Sequence, residues 1–117
     1  MPELIDAPTR IEAAGSPPKQ IEEFVGRVNN GDARVSIAVM TSPPGWEEPF
    51  QTPEFDEYTL VLEGCVIADH EGGSLEARPG QTLHAKPGER VRYHTPDGAR
   101  YVAVCLPAFA PDIVHRD

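Results

Sequence analysis

The chain is poor in cysteine, in cations and in long apolar runs, and each shortage removes a class of protein. Two cysteines in 117 residues, Cys65 and Cys105, are too few for the disulfide framework of a small secreted domain. They also lack the paired spacing of a zinc site. Ten Lys and Arg stand against nineteen Asp and Glu, a formal net charge of −9. Nucleic-acid binders ordinarily carry a basic stripe to neutralise phosphates, so this balance argues against a nucleic-acid partner. It argues equally against an anionic membrane surface. No stretch approaches the ~18 apolar residues of a membrane span. The first residues, Met1 to Asp6, have neither the basic nor the apolar part of a secretory signal. The expectation is a cytoplasmic protein with no membrane partner.

Helix signals are almost as scarce. Ser16-Pro17-Pro18 ahead of Lys19 to Phe24 has cap chemistry for a turn or two of helix. An extended strand through Ile21 to Val28 is the equal alternative. Beyond it, β-rich runs alternate with Gly and Pro turns. Val35, Ile37 and Val39 share one face of a run from Arg34 to Thr41, broken by Ser42-Pro43-Pro44-Gly45. Glu57 to Ala68 is a longer run whose internal Gly64 predicts a bend or bulge. Asp69 to Gly73 is a hairpin turn; short strands follow over 75–78, 81–86, 91–94 and 100–106. This spacing predicts one all-β domain, a sandwich or barrel. Residues 29–106 form the barrel, with an N-terminal arm over 1–28 and a C-terminal tail over 107–117. Pro107, Phe109 and Pro111 make that tail stiff enough to serve as a lid.

Gly45, Glu57 and Gly64 stand in the frame G-x11-E-x6-G, and Gly80 and Gly88 in the frame G-x7-G, with Pro87 before the second glycine. Over residues 35 to 106 this resembles the cupin family, whose motifs read G-x5-H-x-H-x(3–4)-E-x6-G and G-x5-P-x-G-x2-H-x3-N. The resemblance implies a single-domain jelly-roll β-barrel. It also implies a metal site, and there the chain departs from the pattern. The first two ligand histidines fall on Gln51 and Pro53, and the third on Val91; only the carboxylate position keeps its residue, Glu57. No cofactor is therefore expected. A divalent metal would need another ligand set, for which Glu57, His84, His94 and Cys105 are the weak candidates.

The candidate catalytic residues are Glu57, Gln51 and Tyr93. Glu57 opens an apolar strand, where burial would raise its pKa and fit it to move protons. Gln51 and Tyr93 are placed to orient or polarise a bound carbonyl. Cupins host many activities, so the fold does not choose among them. The first functional expectation is an acid–base isomerase, lyase or cyclase acting on a carbonyl-containing or sugar-like small molecule. The alternatives are a metal-dependent oxygenase-type cupin and a non-catalytic ligand-binding or sensor module. With Glu57, Thr59 and Val61 turned inward, Tyr58, Leu60 and Leu62 make an apolar outer face. That face predicts a homodimer, with the arm crossing onto the partner.

Overall fold

The computed structural model describes residues Met1–Asp117. Ten strands run in chain order: β1 (Thr9–Ile11), β2 (Gln20–Val25), β3 (Ser36–Ser42), β4 (Trp46–Glu47), β5 (Asp56–Gly64), β6 (Val66–His70), β7 (Gly73–Ala77), β8 (Thr82–Ala85), β9 (Arg92–Thr95) and β10 (Ala99–Leu106). One sheet has the order β1-β2-β3-β10-β5-β8 and the other β4-β9-β6-β7. Every pairing is antiparallel. No helix is long and apolar enough to cross a membrane.

Alternation along β5 sets the layers. Thr59 and Val61 are buried, while Tyr58, Leu60 and Leu62 are exposed. Between the two sheets Val61, Val66, Val91, Tyr93 and Tyr101 pack with Trp46 into one apolar core. Burying each large side chain of this kind contributes about 1.5–3 kcal/mol. The predicted irregularity lies beside Gly64: the β5–β10 register slips between Arg100 and Tyr101, skipping Leu62. Gly64 has φ +76°, and a Cβ there would stand 2.2 Å from the Gly98 carbonyl oxygen, so only glycine fits.

The inner and outer faces of the six-stranded sheet divide by size. Ile37 and Val39 of β3, and Val102 and Val104 of β10, point outward, whereas Ser36, Ala38, Ala103 and Cys105 are buried on the inner face. Small residues inside and branched ones outside leave space in the middle of the barrel. That space is the cavity described below.

Both chain ends pack onto the barrel. Residues 9–25 form no helix. β1 pairs with β2, and β2 with β3, so the expected arm extends the chain's own sheet. The tail folds back as well. Phe109, Ile113 and Val114 pack on Phe55 and Cys105 in a second small core. Backbone bonds from Thr52 to His115 and from Glu54 to Ile113, both N–H to carbonyl, hold it in place. Segments from both termini thus line the space inside the barrel.

Candidate functional site

A cavity of about 200 Å³ lies against the inner face of the six-stranded sheet. Gln51, Glu57 and Tyr93 all line it. Glu57 reaches it as the second residue of β5, and Tyr93 as an inward residue of β9. Gln51 arrives through bridges that pair its backbone with Val91 and Arg116. Its Nε2 donates to Glu57 Oε1 at 3.5 Å, and the Cys105 thiol approaches Glu57 Oε2 at 3.9 Å.

Five charged residues not singled out from the sequence also line this cavity, Glu12, Lys19, Glu23, Glu48 and Arg116; of these Lys19, Glu48 and Arg116 act electrostatically with Glu57. Lys19 Nζ sits 4.0 Å from the centroid of the Trp46 ring and donates to the Tyr101 hydroxyl at 3.3 Å. That hydroxyl also bonds Ser42 Oγ at 2.9 Å. Period-two alternation from the buried Trp46 carries Glu48 inward past the exposed Glu47. The sequence therefore held a signal for Glu48. Lys19 and Arg116 gave none, because each is brought in by the folding of a chain end.

Burial dominates the electrostatics. It pushes the Glu48 carboxyl up to about 7, opposed by Lys19 and reinforced by Glu57. Glu57 is likewise raised by burial, with Lys19 opposing. Lys19 is lowered by burial against the pull of Glu48 and Glu57. The Tyr93 hydroxyl is raised well above its ordinary value, by burial first and then by the Glu57 charge. Burial also raises the Cys105 thiol, which stays protonated and unreactive as a nucleophile. Neither Lys19 nor Arg116 makes an ion pair within 4 Å; every salt bridge of the chain involves other residues. Two buried polar atoms, Glu48 Oε2 and the Tyr93 hydroxyl, have no hydrogen-bond partner with acceptable geometry.

The cupin ligand positions do gather, since Gln51 pairs with Val91 and touches Glu57. Their side chains are an amide, an apolar group and one carboxylate, a set that does not fit a divalent cation. The other weak metal candidates are separated from them. His84 is exposed on the outer face, 2.8 Å from Asp56 and stacked on Tyr58. His94 pairs with Asp69 at 3.2 Å on the other sheet. Only Cys105 meets Glu57, and no three His, Cys, Asp or Glu side chains converge anywhere in the chain.

The two sheets and the short, glycine-bounded strands define a cupin-fold β-barrel, and solved structures agree. The polyketide cyclase RemF from Streptomyces resistomycificus superposes with a TM-score of 0.75 at 17% identity, covering 98% of this chain and 84% of that one. A cupin-like protein from Thermotoga maritima gives 0.74 at 11% identity, covering 91% and 82%. A putative ethanolamine utilization protein EutQ from Salmonella typhimurium gives 0.69 at 19% identity, covering 87% and 97%. At these identities the likeness is one of fold. No family model matches the chain.

In sequence, the chain is 41% identical over 102 residues to a protein of Myxococcus xanthus named endoribonuclease YbeY. The match takes in 85% of this chain, which spans only 34% of that relative's length. This finding overturns the functional expectation drawn from the sequence. The isomerase, lyase or cyclase of small metabolites gives way, as do the oxygenase-type and sensor alternatives, because the relative is named for RNA cleavage. Nor does a net charge of −9 exclude a nucleic-acid partner. Overall charge reports an average, whereas recognition is local.

Proposed function

We propose that this chain is a cupin-fold module of an RNA-processing protein and engages single-stranded RNA at the face that carries Phe50, Arg90, Arg92 and Arg116. The identity to the Myxococcus endoribonuclease carries the reading. The surface around Gln51 supports it. Arg90 and Arg92 both stack on Phe50, with guanidinium carbons 4.0 and 5.0 Å from the ring centroid. Arg116 stands beside Phe109 at 5.8 Å. Both rings are half-buried, and Arg90 and Arg92 pair with Asp117 and Asp69; a single strand would exchange those carboxylates for its phosphates and stack its bases on the guanidinium planes. The net charge of −9 opposes long-range attraction, so binding rests on these contacts and weakens steeply with salt. A cytoplasmic setting, and a homodimer through the outer sheet face, belong to the same proposal.

Fluorescence anisotropy of a labelled single-stranded RNA tests it. The expected dissociation constant at low salt is tighter than about 10⁻⁴ M, the weak end of non-specific nucleic-acid binding. Replacing Arg90, Arg92 and Arg116 together by Gln should abolish the signal. Absence of binding by the unaltered chain, or binding indifferent to the triple substitution, overturns the reading.

A further inference from the structure

The cavity contains a mismatch that the fold itself does not resolve. Glu48 is 8% exposed and Tyr93 5%, yet Glu48 Oε2 has no partner, and the Tyr93 hydroxyl, set against Glu57 and Thr59, makes no bond of acceptable geometry. Leaving such groups unsatisfied is costly, and native interiors rarely do so without a ligand, water or function to account for it. One is an acceptor and the other can donate, so an occupant must offer both a donor and an acceptor. Lys19 and Arg116 face the same space without closing ion pairs across it, which leaves room between the opposite charges.

Size and charge narrow the occupant. At about 200 Å³ the cavity falls below the ~300 Å³ at which pockets for drug-sized ligands begin, which suits a single planar ring system. Two carboxylates, Glu48 and Glu57, repel a phosphate from the interior. Arg116, exposed at the mouth, can hold one outside. From an RNA strand, then, a base would go in while its phosphate stays at the rim, as in proteins that recognise splayed-out bases.

Resting on the RNA reading above, we infer that the cavity accepts one guanine base. Above about pH 7, where the titration is run, the Glu48 carboxyl is ionised; it then only accepts hydrogen bonds and has two oxygens side by side. Guanine alone among the four RNA bases presents two adjacent N–H donors, N1–H and N2–H, on its pairing edge. Adenine and cytosine offer one amino donor beside a ring-nitrogen acceptor. Uracil offers one N–H between two carbonyls that a carboxylate repels. Glu48 receives the two guanine donors, and the Tyr93 hydroxyl donates to O6. Thr59 and Ala103, small and inward-facing, leave the ring its space. Trp46, the chain's single tryptophan, lies under Lys19 and reports on the site.

Titrating the full chain at pH 8 with GMP, IMP, AMP, CMP and UMP, followed by Trp46 fluorescence, tests the inference. GMP should saturate. IMP, which lacks N2–H, should bind about tenfold more weakly, the effect of one hydrogen bond to a charged group. The remaining three should be weaker still. Glu48→Gln should cost GMP at least about tenfold while IMP and AMP change less. Tyr93→Phe should give a smaller loss and guards against misfolding of the first variant. Equal binding of all five, binding competed by inorganic phosphate alone, or an unchanged GMP affinity in E48Q overturns the inference. A labelled oligouridylate with and without one central G separates the two readings. RNA binding indifferent to that G removes the guanine site and leaves the RNA role. Selective GMP binding without RNA binding does the reverse.

Discussion

Removing the Glu48 charge should change how stability depends on pH, with a sign and size that follow from the cavity. Burial raises this carboxyl from an ordinary 4.5 to about 7 in the folded chain. Between those values the folded protein keeps a proton that the unfolded chain has released. Unfolding therefore sheds protons in this window, and stability falls as pH rises from about 4.5 to 7. At about 1.4 kcal/mol per unit, the full shift corresponds to roughly 3 kcal/mol lost across the window. Glu48→Gln keeps the shape and removes the titration. The variant should match the unaltered protein near pH 5 and exceed it near pH 8 by about 3 kcal/mol. Part of that gain is offset because Lys19 loses an opposing charge. Lys19 acts with the other sign: its folded pKa lies below 10.5, so its own penalty fades as pH rises through that lowered value. Urea unfolding followed by Trp46 fluorescence at several pH values measures the difference directly. A gap between variant and unaltered protein that stays constant from pH 5 to pH 8 would refute the reasoning.

Two further outcomes follow from the backbone and the outer face. Gly64→Ala should cost clearly more stability than Gly45→Ala. Both have positive φ, worth about 1–2 kcal/mol against an L-residue, but only at Gly64 would the new Cβ strike backbone, 2.2 Å from a carbonyl oxygen. Thermal melts of equal depression would contradict the close-approach argument. On the outer face Val39, Val102 and Leu60 lie in one cross-strand row, and Ile37, Val104 and Tyr58 in the next. Light scattering should give twice the single-chain mass, and Leu60→Glu should halve it. A single-chain mass for the unaltered protein would show that this face is stable in water.

Much of the barrel and part of its cavity were legible because they depend on local periodicity. Period-two alternation along β5 was enough to turn Thr59 and Val61 in and Tyr58 and Leu60 out. The Gly and Glu frame was enough to bring Gln51, Glu57 and Val91 to one place. Tyr93, two residues beyond Val91, falls on the same face by the same alternation. The same periodicity was silent for His84, since a strand pattern of Thr82, Leu83, His84 and Ala85 does not say which face is inside. The register with β5, setting Tyr58 against His84 and Thr59 against Leu83, decided it.

The remaining features were settled by contacts between residues far apart in the chain. The size of the cavity comes from Ser36, Ala38, Ala103 and Cys105 meeting across β3 and β10, and no window on the sequence contains both strands. Lys19 and Arg116 enter the cavity from opposite termini, one ahead of β2 and the other at the end of a tail fastened to residues 52–54. An average charge of −9 likewise hid the arginines gathered on Phe50 and Phe109. The local order of residues, their alternation and their turn chemistry, determined that the chain would build short strands, glycine turns and a small core. Only tertiary structure decided which charges share a low-dielectric space, because that depends on which distant side chains exclude the water between them.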